Sequence, residues 1–309
     1  MRRAEPSYLQ LHRRGELPDR VRSAYEVLSS CTLCPRCCGV DRCGGEKGFC
    51  RGEVLPRISS YGPHFGEEPP LVGRYGSGTI FFAHCTMRCE FCQNFEISHL
   101  GQGEETGCDE LARMMIELER RGCHNINLVS PTHYVPQIIE AVAIAAGMGL
   151  SIPLVYNTGG YDRVQTLRLL DGIIDIYMPD AKYGEEEMAV ALSHAPGYVE
   201  AMKSSILEMH RQAGDLSVVD GIAERGLIIR HLVLPEGMAG TEAVMAFIAG
   251  EVSRDSYVNI MDQYRPMGNV YRNDKLPPAL RRPVTEEEYR EAIRAARKHG
   301  LYRGFQYEV

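Results

Sequence analysis

A chain of 309 residues with 44% hydrophobic side chains carries enough apolar mass for one large core or two unequal ones. Its formal net charge of −7 leaves no basic footprint, which sets nucleic acid aside as the default partner. No apolar run reaches the length of a membrane span, and the arginine-rich start (Arg2, Arg3, Arg13, Arg14) has no apolar segment behind it, so the expectation is a cytoplasmic protein with no membrane partner.

Residues 1–30 read as an amphipathic helical lead, with Leu9, Leu11, Val21, Tyr25 and Leu28 set among charges. Residues 31–53 form a small cysteine-rich segment. Its spacing CxxC-x3-C-x11-C offers Cys31, Cys34, Cys38 and Cys50 as four thiolate ligands, which suits either a closed zinc site or a second iron–sulfur cluster. Cys37 and Cys43 are extras, either able to replace a neighbour. Eleven cysteines is an odd number, and most lie in such clusters, which in a reducing compartment points to metal ligation over disulfides. So few apolar residues would hardly fold without a metal. Residues 54–77 are rich in Pro and Gly and are expected to be an irregular wrap, placed to close over whatever follows.

From residue 78 to 309 the pattern alternates strand, loop and helix. Strands are expected at 79–83, 125–130, 154–156, 173–178, 227–234 and 257–261. Helices are expected at 109–121 (Leu111, Met114, Met115 and Leu118 on one face), 135–147 and 286–299, the last opened by a Thr285/Glu288 capping box and ended by Gly300. Six such units imply parallel strands with crossover helices, an α/β fold in the form of an incomplete (β/α)6 TIM-like barrel, with functional groups at the carboxyl ends of the strands.

The first of these strands runs directly into Cys85-Thr-Met-Arg-Cys89-Glu-Phe-Cys92. Three thiolates at this spacing can hold three corners of a [4Fe–4S] cluster and leave its fourth iron open to a ligand. Later strand ends carry Ser130-Pro-Thr-His133, Asn157-Thr-Gly-Gly-Tyr161, Asp180-Ala-Lys182 and Arg230-His231. Asp180 and Lys182, two apart on an extended segment, share a side and suit one charged ligand or one ion pair. Arg230 inside an apolar strand must be paired or face a polar cavity. Gly159 and Gly160 permit close backbone approach to a ligand. His133 and His231 read as scaffold histidines, and Cys108 and Cys123 as buried thiols.

The CxxxCxxC run with an aromatic before its last cysteine resembles the radical S-adenosylmethionine (SAM) superfamily. Further stretches widen the likeness: Leu33-Cys-Pro-Arg36, Gly44-Gly-Glu-Lys-Gly-Phe-Cys50, Gly66-Glu-Glu-Pro-Pro70, Gly76-Ser-Gly-Thr-Ile-Phe-Phe82, Cys92-Gln-Asn94, Asn125–His133, Tyr177-Met-Pro-Asp180 and Arg230-His-Leu-Val-Leu-Pro235. Together they resemble the PflX-type branch, proteins similar to the pyruvate formate-lyase activating enzyme. The resemblance implies Cys85, Cys89 and Cys92 as ligands of a [4Fe–4S] cluster, Phe91 beside the adenine of SAM, and Asn157, Asp180, Lys182 and Arg230 as SAM contacts. The branch departs from the better-known activating enzymes at the second strand, where Ser130 and Thr132 replace an acidic sequence and are the candidates to hold the SAM amino group. No catalytic side chain beyond the cluster ligands is implied. The expected activity is reductive SAM cleavage and hydrogen abstraction from an unknown protein or small-molecule substrate, with glycyl-radical enzyme activation as the analogous reaction and a flavodoxin or ferredoxin as electron donor. Radical methyl transfer or sulfur insertion would need a further dedicated cysteine or a sacrificial cluster at Cys31–Cys50. The alternative is a non-enzymatic iron–sulfur electron carrier or metal-dependent binding module.

Overall fold

The computed structural model describes residues 4–305. Within them the chain is a mixed α/β protein built on a nine-stranded sheet: β1 (Arg57–His64), β2 (Ser77–Phe82), β3 (Glu104–Glu105), β4 (Ile126–Val129), β5 (Leu154–Thr158), β6 (Ile176–Pro179), β7 (Ser217–Val219), β8 (Ile222–Leu232) and β9 (Tyr257–Met261). The order is β3-β1-β2-β4-β5-β6-β8-β7, with β9 also paired to β8. β2, β4, β5, β6, β8 and β9 run parallel to one another, while β1, β3 and β7 join antiparallel. All six expected strands are present, differing at their ends. β6 spans Ile176–Pro179 in place of 173–178, and β8 spans Ile222–Leu232 in place of 227–234. Helices occupy Cys108–Arg120, Val135–Gly147 and Glu286–Lys298. The last opens with the expected capping box, Thr285 Oγ1 accepting from the Glu288 N–H at 3.2 Å while the Thr285 N–H donates to Glu288 Oε2 at 2.8 Å.

The order of the parallel strands never reverses along the chain, so right-handed crossovers place the connecting helices on one face. Leu111, Met115, Ile138, Val142, Met202, Ile206, Val244 and Phe247 accordingly form one core with Ile80, Leu128, Tyr156, Tyr177 and Ile229 from the strands. The alternate strand residues Val155, Ile176, Met178 and Ile228 look the other way and form a separate small cluster with Leu71 and Leu216.

Leu71 comes from the segment expected to be an irregular wrap, and here the structure corrects the expectation. Residues 57–64 are a strand, and Pro69–Val72 make a short helical turn. Gly62 and Pro63 suggested a break, but they fall where β1 is an open edge, because β3 pairs only with Arg57 and Ile58. A proline without an N–H costs nothing there. The segment divides: Glu68 reaches the strand-end side, 4.0 Å from Arg230, while the residues after it turn away. Leu71 sits on the face opposite the helices, its carbonyl accepting from Asn125 Nδ2 at 2.9 Å, and the Arg74 N–H donates to His124 Nε2 at 3.2 Å just before β4. Residues 71–74 therefore fill the sheet at the amino ends of its strands.

The helical lead (Tyr8–Arg13 and Leu17–Glu26) is anchored by the Ser7 N–H donating to Asp175 Oδ1 at 2.7 Å and Tyr8 Oη donating to the Ile152 carbonyl at 3.0 Å. The cysteine-rich segment is stitched to the strand-end side. Arg42 donates to the His133 carbonyl at 2.7 Å, Arg163 to the Thr32 carbonyl at 2.8 Å, and Arg36 to the Thr86 carbonyl at 2.6 Å. Two histidines tie neighbouring strand ends together, as scaffold residues should. His133 Nε2 donates to the Ala83 carbonyl at 2.9 Å. His231 Nδ1 donates to the Ala181 carbonyl at 2.6 Å, which leaves Nε2 to accept from Thr241 at 2.9 Å.

Leu71 is fully buried in a cluster of few members, so Leu71→Ala is expected to lower stability by about 2–5 kcal/mol in urea denaturation. The exposed Leu55 is the control, and Leu55→Ala should stay within about 0.5 kcal/mol. Burial lowers the pKa of His133 to about 3 and that of His231 to about 4. The unfolded imidazoles take up protons near 6.5 and the folded ones resist, so stability is full above that value and falls as pH drops from 6.5 toward 4. Denaturation midpoints measured between pH 7 and 4.5 should show this slope, and His231→Gln should flatten part of it.

Candidate functional site

The carboxyl ends of the parallel strands carry a connected set of charges. Arg230 on β8 donates from Nε to Asp180 Oδ1 at 2.8 Å and from Nη2 to Asn157 Oδ1 at 2.7 Å. Lys182 Nζ closes on the other Asp180 oxygen. Burial opposes ionisation of Asp180, but Arg230 and Lys182 outweigh it and hold the carboxyl below its usual range. Burial likewise works against charge on Lys182, and Asp180 overcomes it, holding the ammonium above its usual range. Four expected residues, Asn157, Asp180, Lys182 and Arg230, are thus one network. A fifth member was not expected: Glu68, 5% exposed, accepts from Asn259 Nδ2 at 3.0 Å and lies 4.0 Å from Arg230. Its Oε2 and both polar atoms of the buried Asn127 amide have no partner among the described residues, leaving them open to water or a ligand.

Next to this network lies the loop after β2. His84 and Arg88 adopt left-handed φ values of 72° and 66° and coil it tightly. Each of its three sulfurs accepts a hydrogen bond. The Met87 N–H donates to Cys85 Sγ at 3.4 Å, Ser193 Oγ to Cys89 Sγ at 2.9 Å, and Ser98 Oγ to Cys92 Sγ at 3.1 Å. Burial pushes the Cys89 thiol up to about 12, against the opposing pull of Lys182, and the fields of Cys92 and Cys85 add to the rise. Cys92 is raised by burial as well. Ser98 lies on a short helical turn, Phe95–Ser98, close behind the cysteines. Ser193 is 104 residues from Cys89, and no sequence signal points to it.

Two expectations change. Thr132 does not serve the strand-end mouth. It is 4% exposed and donates to Asp162 Oδ1 at 2.7 Å, beside Thr158 (2.6 Å) and Tyr156 (2.9 Å) on the same carboxylate. A buried carboxylate needs these donors, and burial still holds the Asp162 pKa up. Asp162 follows the strand by four residues and was missed because it reads as an ordinary loop acid. Gly159 and Gly160 serve protein packing: a Cβ at Gly159 would lie 2.8 Å from Met87 Sδ, and one at Gly160 would lie 2.2 Å from the Asp180 carbonyl oxygen. Ser130 remains at the end of β4, half-buried, with φ 58° and its N–H donating to the Asn157 carbonyl at 2.9 Å. Phe91 is buried with its ring edge-on to Tyr264, centroids 5.7 Å apart.

In the cysteine-rich segment Cys31, Cys34 and Cys50 are buried, while Cys37, Cys38 and Cys43 are exposed. Burial raises Cys34 to about 12, with smaller contributions from Cys50 and Cys31, so these three are neighbours. Cys38 Sγ points as a donor at the Cys31 carbonyl, 3.8 Å away. Among the described residues no three His, Cys, Asp or Glu side chains converge tightly enough for a single metal ion, in this segment or at the strand ends. The three strand-end thiols still fit a multi-iron cluster, whose ligands are spread over separate iron atoms and whose sulfurs accept hydrogen bonds. Arg36 spans both cysteine sets: burial lowers its pKa, and the fields of Tyr161, Cys34, Cys85 and Cys50 oppose that in part. Cys108 and Cys123 are buried away from both.

No family profile matches the chain. A solved structure, HydG, a maturase of the [FeFe]-hydrogenase, aligns with a TM-score of 0.48 and 13% identity over 71% of this chain, which spans about half (48%) of that protein. No helix among the described residues is long and apolar enough to cross a membrane. The uncharacterized protein MJ0674 of Methanocaldococcus jannaschii is 32% identical over 292 residues, an alignment covering 91% of this chain and 78% of the archaeal protein. On that identity and coverage, this chain belongs to the family of MJ0674.

Proposed function

We propose that the protein is a radical SAM enzyme of the PflX type, with its six parallel strands curled into an incomplete (β/α)6 barrel. The observation that carries this reading is the cysteine loop: three sulfurs, each already accepting one hydrogen bond, set beside a buried ammonium. Acceptor geometry at sulfur suits thiolates, and three thiolates without a fourth leave one iron of a [4Fe–4S] cluster open. When bound, that cluster supplies the electron for reductive cleavage of SAM to methionine and a 5′-deoxyadenosyl radical.

The chain's own residues bind and orient. Lys182 uses one N–H on Asp180, and its remaining donors face an anionic group such as the methionine carboxylate. Asp180 keeps Lys182 and Arg230 charged in a buried setting. The Ser130 hydroxyl oxygen takes the ammonium of SAM, a role Thr132 does not share. Phe91 packs against the adenine. By analogy with glycyl-radical activation, the substrate we favour is a protein loop.

The test is anaerobic reconstitution with iron and sulfide, followed by SAM and dithionite and quantification of 5′-deoxyadenosine by mass spectrometry. Wild type should produce it and Cys89→Ala should not. An intact cluster whose spectrum ignores SAM would sink the proposal. Removing a hydrogen bond to sulfur destabilises the more negative, reduced state. Ser98→Ala and Ser193→Ala should therefore each move the cluster midpoint potential to more negative values, read by EPR-monitored titration, with iron content unchanged.

A further inference from the structure

A recess of about 280 Å³ opens beside the cysteine loop, lined by Phe49, Arg88, His99, His194 and Asn269. Its floor leads to two of the three sulfurs. Ser98 Oγ, 2.8 Å from His99 Nδ1, donates to Cys92 Sγ, so the ring nitrogen is the donor to Ser98. On the other side His194 follows Ser193, whose hydroxyl donates to Cys89 Sγ.

The charge around this recess is unlike the rest of the molecule. On a chain of net charge −7, three guanidiniums gather here without a carboxylate partner among the described residues. Arg88 lines the recess and donates to the His99 carbonyl at 3.4 Å. Arg36 stacks on Phe49, 3.4 Å from the ring centroid, and donates to the Thr86 and His194 carbonyls. The exposed Arg51 is close enough to Arg88 to repel its charge. Carbonyl acceptors orient these groups and leave their positive charge uncompensated. The nearby carboxylate, Glu90, is buried and held by His194 at 2.9 Å and Asn273 at 3.4 Å.

We infer that this recess is the docking site of an acidic one-electron carrier protein, a reading that rests on the proposed function. A negatively charged rim on the carrier would complement Arg36, Arg51 and Arg88 and steer its encounter. The carrier's redox group would then sit on the side of the Ser98–Cys92 and Ser193–Cys89 hydrogen bonds. One electron leaves the carrier and one is gained at the thiolate-held iron centre. No bond in the chain forms or breaks.

The probe is flavodoxin, an acidic protein carrying flavin mononucleotide. Its binding to the anaerobically reconstituted protein is measured by calorimetry at low and high ionic strength, alongside the rate of cluster reduction by photoreduced flavodoxin. Arg51→Glu should weaken binding by about tenfold or more and reduce its salt dependence. Arg51→Gln should show a smaller loss, and Arg22→Glu on the distant helical lead should show none. The reduction rate should fall with affinity, while reduction by dithionite stays at the wild-type level. Unchanged affinity and salt dependence in a folded Arg51→Glu protein would overturn the docking site, as would no flavodoxin binding to wild type. Failure of dithionite and SAM to yield 5′-deoxyadenosine, with salt-dependent binding intact, would instead overturn the radical SAM reading.

Discussion

Asp180, buried between Arg230 and Lys182, organises the strand-end site. A carboxylate taken out of water costs several kcal/mol unless its oxygens are met, and here one oxygen meets a guanidinium and the other an ammonium. The same contacts keep both cations charged in a largely buried setting. Arg230 passes the constraint on to Asn157 and, through Glu68 and Asn259, to the last parallel strand. Polar groups from β5, β6, β8 and β9 and from the 66–72 segment are thereby fixed against one another. A site assembled from several strands must be held in this way, because no single element contains it.

Strand order explains why a polar network survives in the middle of the protein. Without a reversal in order, right-handed crossovers send the helices to one face, and that face takes the large apolar side chains. The opposite face receives little apolar cover. Leu71 and Leu216 seal it toward the amino ends of the strands. Toward the carboxyl ends it is left to Asn157, Asp180 and Arg230, with Asn127 and Glu68 still holding unpartnered atoms. Packing and function therefore divide along the length of the same strands.

The cysteine loop shows the limits of local reading. The spacing of Cys85, Cys89 and Cys92 announces a common ligand, since three thiols within eight residues can close round one centre. The donors that tune those sulfurs cannot be read in the same way. Ser98 is near in sequence but looks like any helix serine, and Ser193 arrives from the end of a helix beyond β6. Arg36 reaches from the cysteine-rich segment to the same loop, where the Thr86 carbonyl accepts its hydrogen bond. These contacts depend on which elements the fold makes neighbours.

The sequence by itself determined the alternation of strand and helix, the capping box at Thr285, the three-thiol loop and the charged character of the strand ends. All of these depend on residue type and short-range spacing, which local chemistry decides. Tertiary structure decided that 57–64 pairs as an edge strand despite Gly62 and Pro63, because only the sheet shows which edge of β1 lacks a partner. It turned Thr132 into a support for Asp162 and brought Ser193 to Cys89, since both side chains follow strand twist and helix placement. It also gathered Arg36, Arg51 and Arg88 around one recess. Net charge conceals such a patch, because a Coulomb field depends on distances in space.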